Sequence, residues 1–306
     1  MSTQFIAEQL LHGVGFGLML FLMAAGLTLV FGIMDTLNLS HGSLFMIGAY
    51  IASTLHQYTN SFLLAVAGAV MGTLLVAAVA ERVLFRRLYA VDHLAQVVAT
   101  LGLIFVADAV VVMLWGEAPL MASTPALLAK PVYLAPDWPY PAYRLVVLAA
   151  GLAVAALLYW LVSRTKLGML VRAGASNRQM AELMGLHVQR VFMLVFVMGA
   201  ALAGLAGALM APLSSVQVGM GEAILIPALA VIVIGGIGSM RGALIAALMV
   251  GVVEALGKTF GPSILKLWLS PSLVADVLPS ISAMLMYILM IVVLMVKPRG
   301  LLPARG

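Results

Sequence analysis

Twice along this chain an apolar run long enough to enter a bilayer is cut by glycines and polar residues, and the pair of interruptions limits the folds open to it. The first lies in LVFGIMDTLNLSHGSLFMIGAY, Leu29 to Tyr50. The run stops at Asp35, passes Thr36, Asn38, Ser40 and His41 with Gly32 and Gly42 beside them, and resumes at Leu44. The second lies in VIVIGGIGSMRGALIAAL, Val231 to Leu248, where Gly235, Gly236, Gly238, Ser239 and Gly242 break the span. Arg241-Gly242-Ala243-Leu244 echoes His41-Gly42-Ser43-Leu44. Backbone that leaves a helix at membrane depth has no water to bond, so it survives only against protein or beside a wet cavity. Paired interruptions in two halves point to internally repeated transporters, whose working surface lies between the halves. Two ordinary short turns between spans are the alternative.

The rest of the chain fits a bilayer. Hydrophobic residues make up 64 % and charged residues 9 %, with mean hydropathy +1.17, whereas soluble domains average about 25 % charged. The reading is an all-α polytopic membrane protein of about eight to ten transmembrane helices, with two broken or short segments in related halves. It forms a single transmembrane domain over 1–306. Spans are expected near 10–33, 43–57, 61–80, 95–115, 144–163, 191–211, 223–238, 243–258 and 280–296. The segments at 43–57 and 223–238 are the short ones. No basic region precedes the first span, so the chain is expected to be mature from Met1.

Basic residues set the orientation. If Arg82, Arg86 and Arg87 are cytoplasmic, so are Arg164, Lys166, Arg172, Arg178, Arg190, Arg241, Lys297, Arg299 and Arg305. That leaves Lys130, Arg144, Lys258 and Lys266 outside. The excess puts the C-terminus in the cytoplasm. The external segment Gly116–Tyr143 is rich in proline and aromatics, which stiffen it into extended structure at the headgroup level. On the inner side, 164–190 is the second informative stretch. Ser176 and Gln179 have capping-box spacing and Gly185 is a natural C-cap, which predicts a helix from Ser176 to Gly185. Met180, Leu183 and Met184 form one apolar face of it. So short a helix needs a surface, either its own membrane domain or a partner's groove.

A carboxylate near mid-membrane costs about 3 kcal/mol on insertion scales, so Asp108 should face protein or a cavity. It either lines the pathway, holding a substrate ammonium, or bonds a neighbouring helix; Glu254 divides in the same way or snorkels. His41 either titrates or caps a helix end, and Asp35 and Asn38 cap the break or line the pathway. Asn38, His41, Asp108, Gly235, Gly236 and Gly238 are the pathway candidates. His12, His41, His56, His93 and His187 lack metal-ligand spacing, so no metal or other cofactor is assigned. The absence of cysteine excludes disulfides and a thiol nucleophile. No Walker-type phosphate loop, HExxH or G-x-S-x-G occurs, so no catalytic residue is assigned and energy must come from outside. An ion-coupled secondary transporter or channel, driven through Asp108 and Glu254, is the competing reading.

The chain also resembles the permease subunits of branched-chain amino acid ABC transporters, the first of the two paired permeases. The resemblance runs from about Gly13 to Leu302. It rests on Gly26-Leu27-Thr28-Leu29-Val30-Phe31-Gly32, Asn38-Leu39-Ser40-His41-Gly42, Gly48-Ala49-Tyr50 and Glu81-Arg82 with Arg86-Arg87-Leu88. It continues through Ala99-Thr100-Leu101-Gly102-Leu103, Thr165-Lys166-Leu167-Gly168, Ala201 to Gly207, Gly235 to Gly242 and Lys297-Pro298-Arg299-Gly300-Leu301. Ser43 and Arg87 depart from the family pattern, which often has an acid and a proline there. A related branch carries urea or short amides, so the solute is left open. The resemblance implies a non-catalytic importer subunit of the bacterial inner membrane. Its partners would be a periplasmic binding protein, a second similar permease, two cytoplasmic ATPases and the lipid bilayer, with no nucleic acid. It also implies that Met180, Ala181, Glu182, Leu183, Met184 and Gly185 form the coupling motif in an ATPase groove.

Overall fold

The computed structural model describes residues 3–34, 38–89, 91–136, 138–176, 178–266 and 270–302. Helices dominate it: α1 (Thr3–Met34), α2 (His41–Thr59), α3 (Phe62–Ala80), α4 (Arg86–Leu88), α5 (His93–Trp115), α6 (Ala142–Arg164), α7 (Lys166–Ser176), α8 (Arg178–Leu183), α9 (Val188–Met210), α10 (Met220–Gly235), α11 (Met240–Leu265) and α12 (Pro271–Val296). A π turn, Glu81–Phe85, carries α3 into α4. Each of the nine expected spans falls on a helix. Among the described residues, seven helices are long and apolar enough to cross a membrane. Neither α2 nor α10 is among the seven; they are the segments read as short.

The sequence explains which helix lies at the centre. In α1, Leu18 to Ala25 is an unbroken apolar stretch, and every residue of it is at most 2 % exposed. A helix hydrophobic all round belongs inside other helices. The α1 span is 78 % buried, and α6, α9, α10 and α11 pack on it. By contrast the α5 span is 17 % buried and the α12 span 18 %, and their outward Phe105, Met113, Ile291 and Met295 suit lipid.

Small residues let the core close. Along α1 and α11 the backbones touch: a Cβ on Gly17 would sit 2.6 Å from the Ala247 carbonyl oxygen, and one on Gly13 2.8 Å from the Val252 Cα. Without a hydrophobic drive between helices in lipid, such close packing holds them together. Residue 13 meets 252 and residue 17 meets 247, so the two helices run antiparallel. The C-terminal end of α1 therefore lies beside the start of α11.

Two elements depart from the sequence reading. The stretch 116–143 contains a two-stranded antiparallel hairpin, β1 (Pro131–Ala135) and β2 (Trp138–Pro141), because prolines keep it extended and Val132 and Tyr140 pair across it. Leu120 also forms a bridge with Val216. Ser176 closes α7 instead of opening the next helix. The chain turns through Thr165, whose hydroxyl caps Gly168, and goes on helically from Lys166. The side chains of Ser176 and Gln179 lie outside the described residues, and so does their capping box.

The contrast between packed and open glycines gives a test. Gly17→Leu should destabilise the fold by about 1–3 kcal/mol or more through overpacking, read as a lowered melting temperature in detergent. Gly102→Leu, on α5 with nothing within 4 Å of its added Cβ, should leave the melting temperature unchanged.

Candidate functional site

The first interruption re-enters the helical core. Asp35 and Thr36 lie outside the described residues, but the chain on either side is clear. After Met34 it returns so that His41, the first residue of α2, rests on Gly26: a Cβ there would be 2.7 Å from the His41 Nε2. Gly26 is eight residues before Met34, about 12 Å back along α1 at the helical rise. So α2 starts inside the core, not at its edge. Asn38, Ser40, His41 and Ser43 are all buried. The Ser40 hydroxyl donates to Asn38 Oδ1 at 2.6 Å, and the Asn38 carbonyl accepts from the His41 backbone N–H. Neither His41 nor Asn38 caps α2 by its side chain: Ser40 holds the N-cap position, with its hydroxyl turned to Asn38.

A second helix starts at the same place. α10 has 16 residues, about 24 Å, which is short of the roughly 30 Å hydrocarbon core. Its Gly221 meets Gly42 of α2 so closely that a Cβ on either would lie 2.4 Å from the other's carbonyl oxygen. Two helix N-termini thus abut inside the protein, where the helix dipoles leave partial positive charge. Glu222, in the first turn of α10, lies beside them.

The second interruption closes the other end of α10. Gly236 (φ 99°) and Gly238 (φ 78°) take left-handed turns that L residues avoid, and the Ser239 hydroxyl accepts from the Gly242 N–H to cap α11. The C-terminal segment folds back here: the backbone N–H groups of Leu301 and Leu302 donate to the carbonyls of Ile234 and Gly235. That satisfies two of the carbonyls every helix end leaves open. Gly32 lies next to Gly238, with 3.3 Å from an added Cβ to the Gly238 Cα, so the two interruptions meet. The sequence echo does not extend to environment: His41 is 1 % exposed, whereas Arg241 is exposed and lies over the Tyr159 ring, bonding its hydroxyl.

Between the interruptions lies an open cleft with about 60 Å³ of room, lined by Leu27, Phe31, Asn38, Leu229, Ile232, Val233 and Ile237. All the lining is apolar save Asn38, whose Nδ2 has no partner. Nothing in it pairs a nucleophile with a base. What it offers is a passage or resting place for a greasy group.

The remaining predicted residues separate into two places. Asp108 is half-buried on α5, away from the cleft, with Oδ1 unpartnered. Glu254 is engaged by Lys258, one turn on, at 2.5 Å. Within 164–190, Ala181 is 4 % exposed against the core, while Met180, Leu183 and Met184 are 55 %, 83 % and 79 % exposed. Gly185, at φ 85°, ends α8 as expected, with the Leu186 N–H on the Ala181 carbonyl and the Gly185 N–H on that of Glu182. Directly after it, α9 is tied to the α3–α4 turn by Arg86 on Gln189 and by Tyr89 against Phe192. Burial and the neighbouring Glu81 carboxylate raise the Tyr89 hydroxyl above the ordinary tyrosine range, so it stays protonated and donates to Glu81. Sequence reasoning missed Glu222, Gly221 and the returning C-terminus. Only the polar run Gln217-Val218-Gly219-Met220-Gly221-Glu222 ahead of the expected span hinted at the first two.

Comparison with known proteins adds the family. A model described as "Branched-chain amino acid transport system / permease component" matches residues 9–294. The high-affinity branched-chain amino acid transport system permease protein LivH of Escherichia coli K12 is 29 % identical, covering 99 % of this chain and 97 % of its own. BraD of Pseudomonas aeruginosa, named likewise, is 31 % identical over 82 % of this chain and 85 % of its own. A probable LivH from Methanocaldococcus jannaschii is 29 % identical over 78 % and 76 %. No solved structure matches.

The cleft's opening can be read by labelling, since the chain has no native cysteine. Ile237→Cys, at a site 52 % exposed, should react with a membrane-impermeant maleimide; Val231→Cys, at a site with no exposure, should stay unlabelled.

Proposed function

The chain belongs to the family of permease components of branched-chain amino acid transport systems, and on that premise we propose that it is the translocation subunit of an ABC importer for branched-chain amino acids. The observation that carries the reading is the cleft where the two interruptions meet, because its six apolar residues suit an aliphatic side chain. Asn38 and the turn Gly235, Gly236 and Gly238 border that passage, with His41 behind it. Apolar pockets discriminate methylenes only modestly, by about 1–3 kcal/mol each, so selection would fall mainly to an external receptor.

The subunit has no catalytic role in this reading. Two ATPases on the cytoplasmic side supply the energy, a periplasmic binding protein delivers the solute, and a second, similar permease completes the passage. The whole chain, 1–306, acts as one transmembrane domain of the inner membrane. Its C-terminus is cytoplasmic, as are Arg82, Arg86, Arg164, Arg241 and Lys297. Residues 164–190 are the coupling segment. The exposed Met180, Leu183 and Met184 have the spacing of an amphipathic helix laid into a groove, with Glu182 beside them and the buried Ala181 seating the turn on the permease. The Gly185 turn fixes the angle at which the segment enters α9. The Arg86–Gln189 and Tyr89–Phe192 contacts carry any displacement of that turn to α3.

Leu183→Asp and Gly185→Asp test the coupling. The first puts a charge on the docking face, and the second also forces an L residue into a left-handed turn at a cost of about 1 kcal/mol. Each should cut solute-stimulated ATP hydrolysis by the assembled complex at least tenfold, with membrane insertion intact. Unchanged coupling in both would reject this role for the segment.

A further inference from the structure

The outer half of the core holds a second site, built from three helices. Asp108 and Trp115 are two turns apart on α5 and share a face. That face looks at α2: the Trp115 ring is 5.2 Å from the Tyr50 ring, and its Nε1 donates to Thr54 Oγ1 at 2.7 Å. Ser43 and Tyr50 are likewise seven residues apart on α2. Both are buried, Ser43 to 3 % and Tyr50 to 0 % exposure, and both hydroxyls lack a partner. α10 reaches the same region through the Gly42–Gly221 contact, which brings in Glu222. Asp108 is within electrostatic range of both the Tyr50 hydroxyl and Glu222.

The charge balance points to a cation. Among the described residues, neither Asp108 nor Glu222 forms an ion pair with a Lys, Arg or His. Glu222 has the N-terminus of α10 to offset its charge. Asp108 sits in mid-helix with no such support, and its Oδ1 and the Tyr50 hydroxyl are unpartnered together. A primary ammonium answers this arrangement. It has three donors, enough for one oxygen of each carboxylate and the Tyr50 hydroxyl. Trp115, beside Tyr50, adds an aromatic face of the kind that attracts cations.

Resting on the permease reading, we infer that Tyr50, Asp108 and Glu222 form a site for the ammonium group of an amino acid, on the outer side of the Gly42–Gly221 contact from the aliphatic cleft. A solute would then meet the charged site and the aliphatic cleft at separate stages of its passage.

Trp115 reports on the site directly. In the full chain with Trp138, Trp160 and Trp268 replaced by Phe, its fluorescence should respond saturably to leucine amide, which keeps the ammonium and lacks a carboxylate. Isocaproate, which lacks the ammonium, and sodium chloride should give no saturable change. Asp108→Asn and Glu222→Gln should each raise the half-saturating leucine amide concentration at least tenfold, and Tyr50→Phe severalfold. Equal response to isocaproate or to sodium would overturn the assignment, as would unaltered titrations in folded Asp108→Asn and Glu222→Gln. If those variants misfold, the comparison of leucine amide with isocaproate on the parent chain still decides. The readout needs neither ATPase nor uptake, so a chain that binds leucine amide but never supports uptake would reject the permease reading alone.

Discussion

The contact between Gly42 and Gly221 is the constraint from which the arrangement follows. Two helices begin inside the core, and the N–H groups of their first turns would be stranded if lipid lay against them. The structure resolves this by setting the two starts against one another, backbone on backbone, with α1 and α9 packed around them. Any side chain at either glycine would force α2 and α10 apart. Holding them together gives the protein a closed point at membrane depth, with an apolar cleft on one side and a pair of carboxylates on the other.

Around that point the molecule divides into a firm centre and a looser rim. α1 is buried from Gly17 to Val30 and is locked to α11 through glycines, so it is the natural fixed element. α5 and α12 turn apolar faces outward and pack lightly. The Gly185 turn joins α8 to α9, and Arg86, Phe85 and Tyr89 tie α9 to the stretch that follows α3. The π turn at Glu81–Phe85 lies in that stretch, where the helix already departs from regular geometry. The C-terminal strand of backbone on Ile234 and Gly235 holds the C-terminal end of α10, so the second interruption is closed by hydrogen bonds and not by bulk.

Much of this was legible in the sequence. The two interruptions, the short spans flanking them and the Gly185 turn each have a local signature, namely loss of apolar run, shortened length or a glycine at a helix end. What was not legible depends on pairing across the chain. Nothing near Gly42 says that Gly221 lies against it, and the resemblance of His41-Gly42 to Arg241-Gly242 suggested a symmetry of place that the buried His41 and exposed Arg241 do not share. Glu222 was passed over because it stands at a span boundary, where acids are ordinary; its neighbours Asp108 and Tyr50 give it meaning. Glu254 drew attention as a carboxylate in a span, and Lys258 one turn away engages it. The extent of α7 was hidden because Ser176 looks like a start when read forward from the loop.

The central claim is that cargo passes where the two interruptions meet, so the most direct measurement is to join them. Phe31→Cys with Ile237→Cys places one thiol on each wall of the cleft. When the pair is bridged with a short cleavable dithiol cross-linker in the assembled complex, branched-chain amino acid uptake should fall at least tenfold and return on reduction. Full uptake by a quantitatively bridged transporter would contradict the account.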